Sequence, residues 1–150
     1  MKISENTYQL IIKKCLNNQS ETGGIIGGKN NIVTEFVFDK GTALSSKQHY
    51  YPNVERLNEC INDWKNINIQ FYGIVHTHLQ KERLLSIGDK QYIRTIMLTM
   101  PVNVRFLYFP IVLPQNEIVA YEAVRLNNEI NINASNIKII YGKEKSNEKN

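Results

Sequence analysis

The chain has 150 residues, of which 42% are hydrophobic and 21% are charged. This is the composition of an ordinary globular protein, and it excludes disorder or a fibrous repeat along the whole chain. The net charge of +4 comes from 18 basic and 14 acidic residues that are scattered through the sequence. Nucleic-acid binders concentrate their basic residues on one face or arm, so we expect one domain with no nucleic-acid partner.

The sequence has no apolar core of the signal-peptide type near its start and no apolar run of about 18 residues, the length that crosses a bilayer. Its two cysteines, Cys15 and Cys60, are far apart and form no Cys-x-x-Cys pair. Such cysteines are typically reduced, buried thiols of a cytosolic protein. We therefore expect a cytoplasmic protein with no membrane partner.

Hydrophobic periodicity and turn signals predict a chain of alternating helices and strands. The predicted helices are Ser4–Asn18, Asn53–Asn66 and Ser86–Thr99, and the predicted strands are Ile25–Gly28, Ile32–Phe38, Gln48–Tyr51, Ile69–Val75, Val104–Val112, Ile118–Leu126 and Ile137–Tyr141. This order predicts a mixed α/β domain over residues 1–142, with a central sheet flanked by helices. Residues 143–150 are predicted to be a flexible polar tail.

A cluster of metal-ligating residue types begins where the strand Ile69–Val75 ends. His76 and His78 are two residues apart, so their side chains are expected on the same face of the strand. Asp89 falls in the first turn of the next predicted helix, three residues after Ser86. Two imidazoles and one carboxylate with an open fourth position are typical of a catalytic zinc site. Ser86 and Asp89 also fit a helix capping box, and the two roles are compatible.

The pattern His76-x-His78, seven residues, then Ser86-x-x-Asp89, with Glu21 upstream before a glycine-rich apolar segment, resembles the JAMM motif of the JAB/MPN family of zinc peptidases. The resemblance implies that His76, His78 and Asp89 bind one Zn²⁺ per chain. It implies that Glu21 is the catalytic acid/base and that Ser86 supports the oxyanion. By residue type alone Glu82, which is nearer to the ligands in sequence, is also a candidate for the acid/base.

The resemblance covers roughly residues 1–126 and implies a cytidine deaminase-like fold, in which a curved sheet lies between helices; residues 1–142 are thus the expected JAB/MPN metallopeptidase domain. Many members of the family have proline after the second histidine and before the serine, where this chain has Leu79 and Leu85. These departures affect the loop beside the cleft, and hence the choice of substrate, more than they affect zinc binding.

The implied activity is hydrolysis of an isopeptide or peptide bond after the C-terminus of a ubiquitin-like modifier. The compact chain is similar to prokaryotic, deubiquitinase-like members, which work with activating-like and conjugating-like enzymes, in one setting in antiviral defence. Processing of a sulfur-carrier protein is an alternative pathway. A catalytically inactive MPN-type interaction scaffold is a second alternative, although such members usually lack the intact metal set. The chain is expected to be a monomer or a homodimer.

Other readings of single features are less consistent with the sequence. The segment Gly23-x4-Gly28-Lys29 approaches a phosphate-binding loop, but Asn30 stands where a serine or threonine is needed and a strand is predicted where a helix is needed. A zinc deaminase is disfavoured because the chain has no Cys-x-x-Cys pair. His49 is expected to be a surface or packing residue, and Trp64 is expected in the core. Lys81 and Arg83 are expected to be solvated.

Overall fold

The computed structural model describes residues 1–142, and within them the chain forms three helices and nine strands. The helices are α1 (Glu5–Cys15), α2 (Val54–Asn66) and α3 (Ile87–Thr99). The strands are β1 (Lys2–Ser4), β2 (Gly23–Lys29), β3 (Ile32–Asp39), β4 (Gln70–Thr77), β5 (Phe106–Tyr108), β6 (Ile111–Leu113), β7 (Glu117–Leu126), β8 (Glu129–Ser135) and β9 (Lys138–Ile140). The predicted tail at 143–150 lies outside the described residues.

Each helix begins directly after a polar N-cap residue, and the three caps are the first residues of the three predicted helices. The side chains of Ser4, Asn53 and Ser86 each accept a hydrogen bond from the backbone N–H three residues further on. These bonds satisfy amide groups that have no partner inside the helix. The starts of all three helices therefore follow from local sequence. Separately, none of the helices within residues 1–142 is long and apolar enough to span a membrane.

The nine strands of the described residues form one mixed sheet that has β4 near its middle. The strand order is β5-β7-β6-β4-β2-β3-β1-β9, and β8 pairs with β7. Strand β4 is antiparallel to β2 on one side and parallel to β5 and β6 on the other. The central mixed sheet flanked by helices confirms the predicted fold class.

Alternate residues of the sheet contribute to two hydrophobic cores, one on each face. Ile74 of β4 packs with α2 and α3, whereas Val75 packs on the opposite face with α1. Trp64 is buried in the first of these cores, as predicted. Cys15 is buried in the second, where burial raises the pKa of its thiol to about 12, and both cysteines are free thiols.

The glycine-rich segment is a strand and not a phosphate-binding loop. Residues Gly23–Lys29 form β2 and turn directly into β3 through Asn30 and Asn31, which have φ angles of 56° and 62°. Two residues in this conformation make the tight turn that suits the twist of a hairpin. The strands predicted at Ile25–Gly28 and Ile32–Phe38 thus pair as a hairpin, and no helix follows Lys29.

Two strand predictions are wrong. Gln48–Tyr51 is irregular, because its backbone bonds close the loop on itself: Thr42 donates to the Tyr51 carbonyl and Ser46 to the His49 carbonyl. The predicted strand Val104–Val112 is two strands, β5 and β6, separated at Pro110, which has no N–H to donate. Both pieces pair with β7.

Two strands escaped prediction. Strand β1 has only three residues, too few to show a period, and it lies parallel to β3 and β9. Strand β8 alternates isoleucine with asparagine and pairs along its full length with residues Ala120 to Leu126 of β7. Its asparagines have low strand propensity, although the alternation itself is the signal for a strand with one buried face.

Candidate metal centre

The two histidines of the motif come from the end of β4, at the centre of the sheet. His76 lies within the strand, opposite Gly23 of β2, and His78 follows directly after Thr77, the last strand residue. Thr77 points to the other face, where its hydroxyl accepts a hydrogen bond from the Thr22 N–H at 3.0 Å. Strand alternation thus places both imidazoles on one face of the sheet, as predicted, and the start of α3 lies on that face.

Asp89 reaches the same place from the first turn of α3. The Asp89 N–H donates to the Ser86 hydroxyl oxygen, and the Ser86 N–H donates to Oδ2 of Asp89, both at 2.9 Å. This reciprocal pair is a capping box with aspartate in the place of the usual glutamate. Because the Ser86 oxygen accepts from the backbone, its own proton stays free for another acceptor. The cap fixes the carboxylate that faces the histidines.

The three candidate ligands converge on one point. The Nε2 atoms of His76 and His78 are 2.9 Å apart, and Asp89 oxygens lie 3.1 Å from Nε2 of His78 and 3.5 Å from Nε2 of His76. Two ring nitrogens this close need a proton or a cation between them, because their lone pairs repel each other. Ligands around tetrahedral zinc, with bonds near 2.0–2.1 Å, stand about 3.3 Å apart. The three side chains are therefore spaced to bind a metal ion.

The ring of His78 is oriented by the loop that follows it. Its Nδ1 lies 2.7 Å from the backbone carbonyl of Glu82. A carbonyl can only accept, so Nδ1 carries the proton and Nε2 faces Asp89 and His76. Metal-binding histidines commonly donate their second nitrogen in this way, which fixes the tautomer and the plane of the ring.

The electrostatics of the cluster suit a cation. Burial lowers the pKa of His76 and favours its neutral form, which is the form that binds metal. Burial of Asp89 disfavours its charge, but hydrogen bonds from His76 and His78 outweigh that cost and hold its pKa far below the ordinary range. Burial also opposes the charge of His78, but hydrogen bonds to Asp89 and to the Glu82 carbonyl, together with the negative charges of Asp89 and Glu21, raise its pKa. The carboxylate is therefore held in its charged form.

Glu21 lies beside the cluster although it is far away in sequence. Its side chain is 5% exposed, and one carboxylate oxygen accepts a hydrogen bond from the Leu79 N–H at 3.3 Å. Burial raises the pKa of Glu21 to about 7. A carboxyl group with a pKa near neutrality can both accept and release a proton, as a general acid/base must. Glu82, the other candidate, contributes its backbone carbonyl to His78 and has an exposed side chain.

One cavity of about 580 Å³ contains all five predicted site residues. It lies between the β4 end, the α3 start and the loop that connects β3 to α2. Its lining residues include Glu21, His76, His78, Ser86 and Asp89, together with apolar and aromatic side chains from both walls.

The structure adds a third histidine to this cavity. His49 lines the wall opposite α3, with its ring 5.0 Å from that of Tyr51. The loop that carries it is bonded to Glu21, because the Glu21 N–H donates to the Ser46 carbonyl at 2.7 Å. Sequence reasoning assigned His49 to the surface or to packing, and it is indeed exposed, but at the mouth of the site. No local pattern could have placed it there.

Arg83, expected to be solvated, is exposed but paired. Its guanidinium donates to Glu117 at the start of β7, while its backbone carbonyl accepts from the Tyr121 hydroxyl at 2.8 Å. Lys81 is exposed and has a φ angle of 67°. The loop of residues 79–85 is therefore attached both to the cluster and to β7.

Comparisons with known proteins find similarity in structure and not in sequence. No model of a protein family matches the sequence, and no curated protein is significantly similar to it. The solution structure of protein DSY2949 from Desulfitobacterium hafniense is similar with a TM-score of 0.70 and 14% identity, over 96% of this chain and 95% of that chain.

The crystal structure of AF2198, a JAB1/MPN domain protein from Archaeoglobus fulgidus, is similar with a TM-score of 0.56 and 15% identity, over 93% of this chain and 99% of that chain. At these identities the comparisons establish the fold. The chain has the architecture of a JAB1/MPN domain, as the resemblance of its motif implied.

Proposed function

We propose that this chain is a zinc-dependent peptidase that cleaves an isopeptide or peptide bond after the C-terminus of a ubiquitin-like modifier. The observation that carries the proposal is the convergence of His76, His78 and Asp89 on one point, beside the buried carboxyl of Glu21, in an open cavity. The residues fit a catalytic zinc site because three protein ligands leave the fourth position free.

A zinc ion bound there would lower the pKa of water towards about 7 and polarise the carbonyl of the scissile bond. Glu21 takes the proton from the attacking water as the new C–O bond forms at the carbonyl carbon. The same carboxyl then gives that proton to the leaving amine as the C–N bond breaks. The remaining proton of the attacking water passes to the product amine, so the products are a carboxylate and an ammonium group, and Glu21 returns to its starting state.

Ser86 supports the negative charge that develops on the carbonyl oxygen. Its hydroxyl proton is free, since its oxygen is the N-cap acceptor for Asp89. A single donor of this kind, fixed before the reaction, is typically worth about 3 kcal/mol in the barrier. The capping hydrogen bond therefore fixes the position of the Ser86 oxygen. Its hydroxyl proton can still turn toward the carbonyl oxygen of a bound substrate.

The shape of the cavity supports a chain terminus as substrate. A volume of about 580 Å³ is in the range that holds a small ligand or a few residues of extended chain, not a folded domain. An extended C-terminal tail, joined to a lysine or to a following peptide, fits this limit. The resemblance of the motif to that of the JAB/MPN zinc peptidases favours this class of substrate over a free small molecule.

The modifier and its pathway belong to the same proposal. A bacterial-type ubiquitin-like modifier, conjugated by activating-like and conjugating-like enzymes in a defence pathway, and a sulfur-carrier protein of the ubiquitin fold both present such a tail. A panel of fusions in which each tail precedes a reporter protein tests the two classes side by side.

The test is cleavage of this panel by the zinc-loaded protein, with Glu21→Gln as the matched control. We expect the wild type to release the reporter from at least one tail, and Glu21→Gln to retain zinc but lose at least about a hundredfold in rate, since it cannot move a proton. Zinc-loaded wild type that cleaves none of the fusions, and binds their tails as tightly as Glu21→Gln does, would favour the non-catalytic scaffold.

A further inference from the structure

The orientation of His78 depends on a carbonyl in an otherwise exposed loop. Glu82, whose carbonyl accepts from Nδ1 of His78 at 2.7 Å, lies between exposed Lys81 and exposed Arg83. The loop begins with a bond from the Lys81 N–H to the His78 carbonyl at 3.3 Å. It ends at Leu85, which is buried in the core. Neither of these two contacts, at the start and at the end of the loop, involves the Glu82 carbonyl itself.

Strand β7 holds the loop one residue beyond that carbonyl. The Tyr121 hydroxyl donates to the Arg83 carbonyl at 2.8 Å, and Glu117 pairs with the Arg83 guanidinium. Glu117 and Tyr121 are four residues apart on one strand, so they share a face. Consecutive carbonyls of the loop, at Glu82 and Arg83, thus bond to the histidine on one side and to β7 on the other.

We propose that Tyr121 is a positioning residue of the metal centre: its hydroxyl, bonded to the Arg83 carbonyl, holds the adjacent Glu82 carbonyl against Nδ1 of His78. The inference rests on the proposed function, because it takes His78 as a metal ligand. Tyr121 itself touches neither metal nor substrate.

The aromatic ring of Tyr121 has a second, separate role. It packs against the core that includes Leu85 and Phe109, and the Tyr121 carbonyl accepts from the Phe109 N–H at 2.8 Å. Tyr121→Phe keeps these contacts and removes the hydroxyl alone. The variant is therefore expected to fold, and it isolates the bond to the loop.

The size of the effect follows from the distance to the ligand. Loss of a direct hydrogen bond to a metal-binding histidine typically costs 10–100-fold in metal affinity. Tyr121 acts one residue further out, through an exposed hydrogen bond, so we expect Tyr121→Phe to bind zinc about three to ten times more weakly. The Arg83–Glu117 pair is exposed and adds little by itself, so Arg83→Gln should bind zinc nearly as the wild type does.

The experiment measures zinc affinity by competition with a chromogenic chelator, and the visible absorption spectrum of the cobalt-loaded protein. The control is Tyr72→Phe, because the Tyr72 hydroxyl also bonds to a loop, at Asn31 of the β2–β3 turn and at Gln70, away from the ligands. We expect Tyr121→Phe, but not Tyr72→Phe, to bind zinc more weakly and to show an altered cobalt spectrum. The spectrum should change because a shift of the His78 imidazole alters the ligand field of the cobalt ion.

Wild-type affinity and spectrum in Tyr121→Phe would overturn the inference and leave the proposed function intact. An equal loss in Tyr72→Phe would also overturn it, because the effect would then be a general loosening of the fold. Absence of zinc binding in the wild type would instead overturn the proposed function on which the inference rests.

Discussion

Glu21 is a carboxyl group that the fold has partly removed from water. Burial raises its pKa to about 7, from about 4.3 in an unfolded chain. A proton is therefore bound more tightly in the folded than in the unfolded state. The burial that suits Glu21 to move protons also means that its charged form destabilises the folded, metal-free protein.

This cost predicts a pH-dependent gain in stability for Glu21→Gln. The contribution of Glu21 is fully present below the unfolded pKa and is lost as pH rises through the folded pKa near 7. As the pH rises from 4.5 to 7.5, metal-free Glu21→Gln should therefore become more stable relative to the wild type, by about 3 kcal/mol in the free energy of unfolding. Urea unfolding at several pH values measures the difference.

The control for this experiment is Glu59→Gln, an exposed position on α2. Its stability should run parallel to that of the wild type across the same pH range. Parallel curves for the wild type and Glu21→Gln would show that the Glu21 carboxyl is not desolvated, and would remove the basis for its role as a proton carrier.

The site residues differ in how far sequence alone could identify them. His76, His78, Ser86 and Asp89 lie within 14 positions of one another, so strand alternation and helix capping were enough to bring them together. Glu21 could be chosen over Glu82 only through a resemblance to a known motif. His49 and Tyr121 contribute through loop closure and strand pairing, which have no local signature.

At the scale of elements, the close pairing of β2 with β4 holds the histidines in place. Gly23 lies opposite His76, and a Cβ atom there would stand 2.0 Å from the Val75 carbonyl oxygen and 2.6 Å from the Tyr50 ring. Backbone cannot yield by that much without separating the strands. Glycine is thus required where β2 approaches the site.

We predict that Gly23→Ala destabilises the protein by about 2–4 kcal/mol and weakens zinc binding, because β4 must shift at His76. Gly88→Ala is the matched substitution in the first turn of α3, where the nearest atom, Oγ of Ser86, would be 3.7 Å away. Alanine is the better helix former, so Gly88→Ala should be neutral or stabilising by up to about 1 kcal/mol. Thermal unfolding of both variants tests this, and equal stabilities would contradict the steric argument.

The elements that sequence predicted are those whose signals are local. Hydrophobic periodicity located all three helices, the capping pattern of Ser86 and Asp89 marked the start of α3, and a turn signal separated the strands that became β2 and β3. Strand β1 is stable only because β3 and β9 flank it, and the loop around Gln48–Tyr51 is irregular only because it bonds to itself. These outcomes depend on partners that are distant in the chain, which hydrophobic periodicity does not report.

At the scale of the molecule, the candidate centre brings together residues from three separate parts of the chain. Two ligands come from the end of β4 and the third from the start of α3, and Glu21 precedes β2. A metal ion bound to the folded state alone stabilises it by mass action. Metal binding should therefore be visible in the stability of the whole chain.

We predict that zinc at a hundred times its dissociation constant raises the free energy of unfolding of the wild type by about 2.7 kcal/mol. The gain should shrink below pH 6, because protons compete with the metal for His76 and His78. Asp89→Ala should show little gain at any pH. Urea unfolding in the presence of zinc and in the presence of a chelator measures this difference in the free energy of unfolding. If zinc stabilised Asp89→Ala as much as the wild type, the metal would have to bind at another site.

The fold is shared with proteins that are only 14–15% identical over nearly the whole chain. Such divergence is possible because a fold needs the pattern of apolar residues, caps and turns and not particular residues. The chemistry, in contrast, needs particular side chains at particular places, so it must be tested on this chain itself.

The most direct measurement is the zinc content of the purified protein by elemental mass spectrometry, alongside His78→Ala and Asp89→Ala. We predict about one zinc per chain in the wild type and a loss of zinc in both variants, each of which removes one of three converging ligands. A wild type that holds no zinc, even after zinc is added back, would contradict the metallopeptidase account and leave the chain as an interaction scaffold.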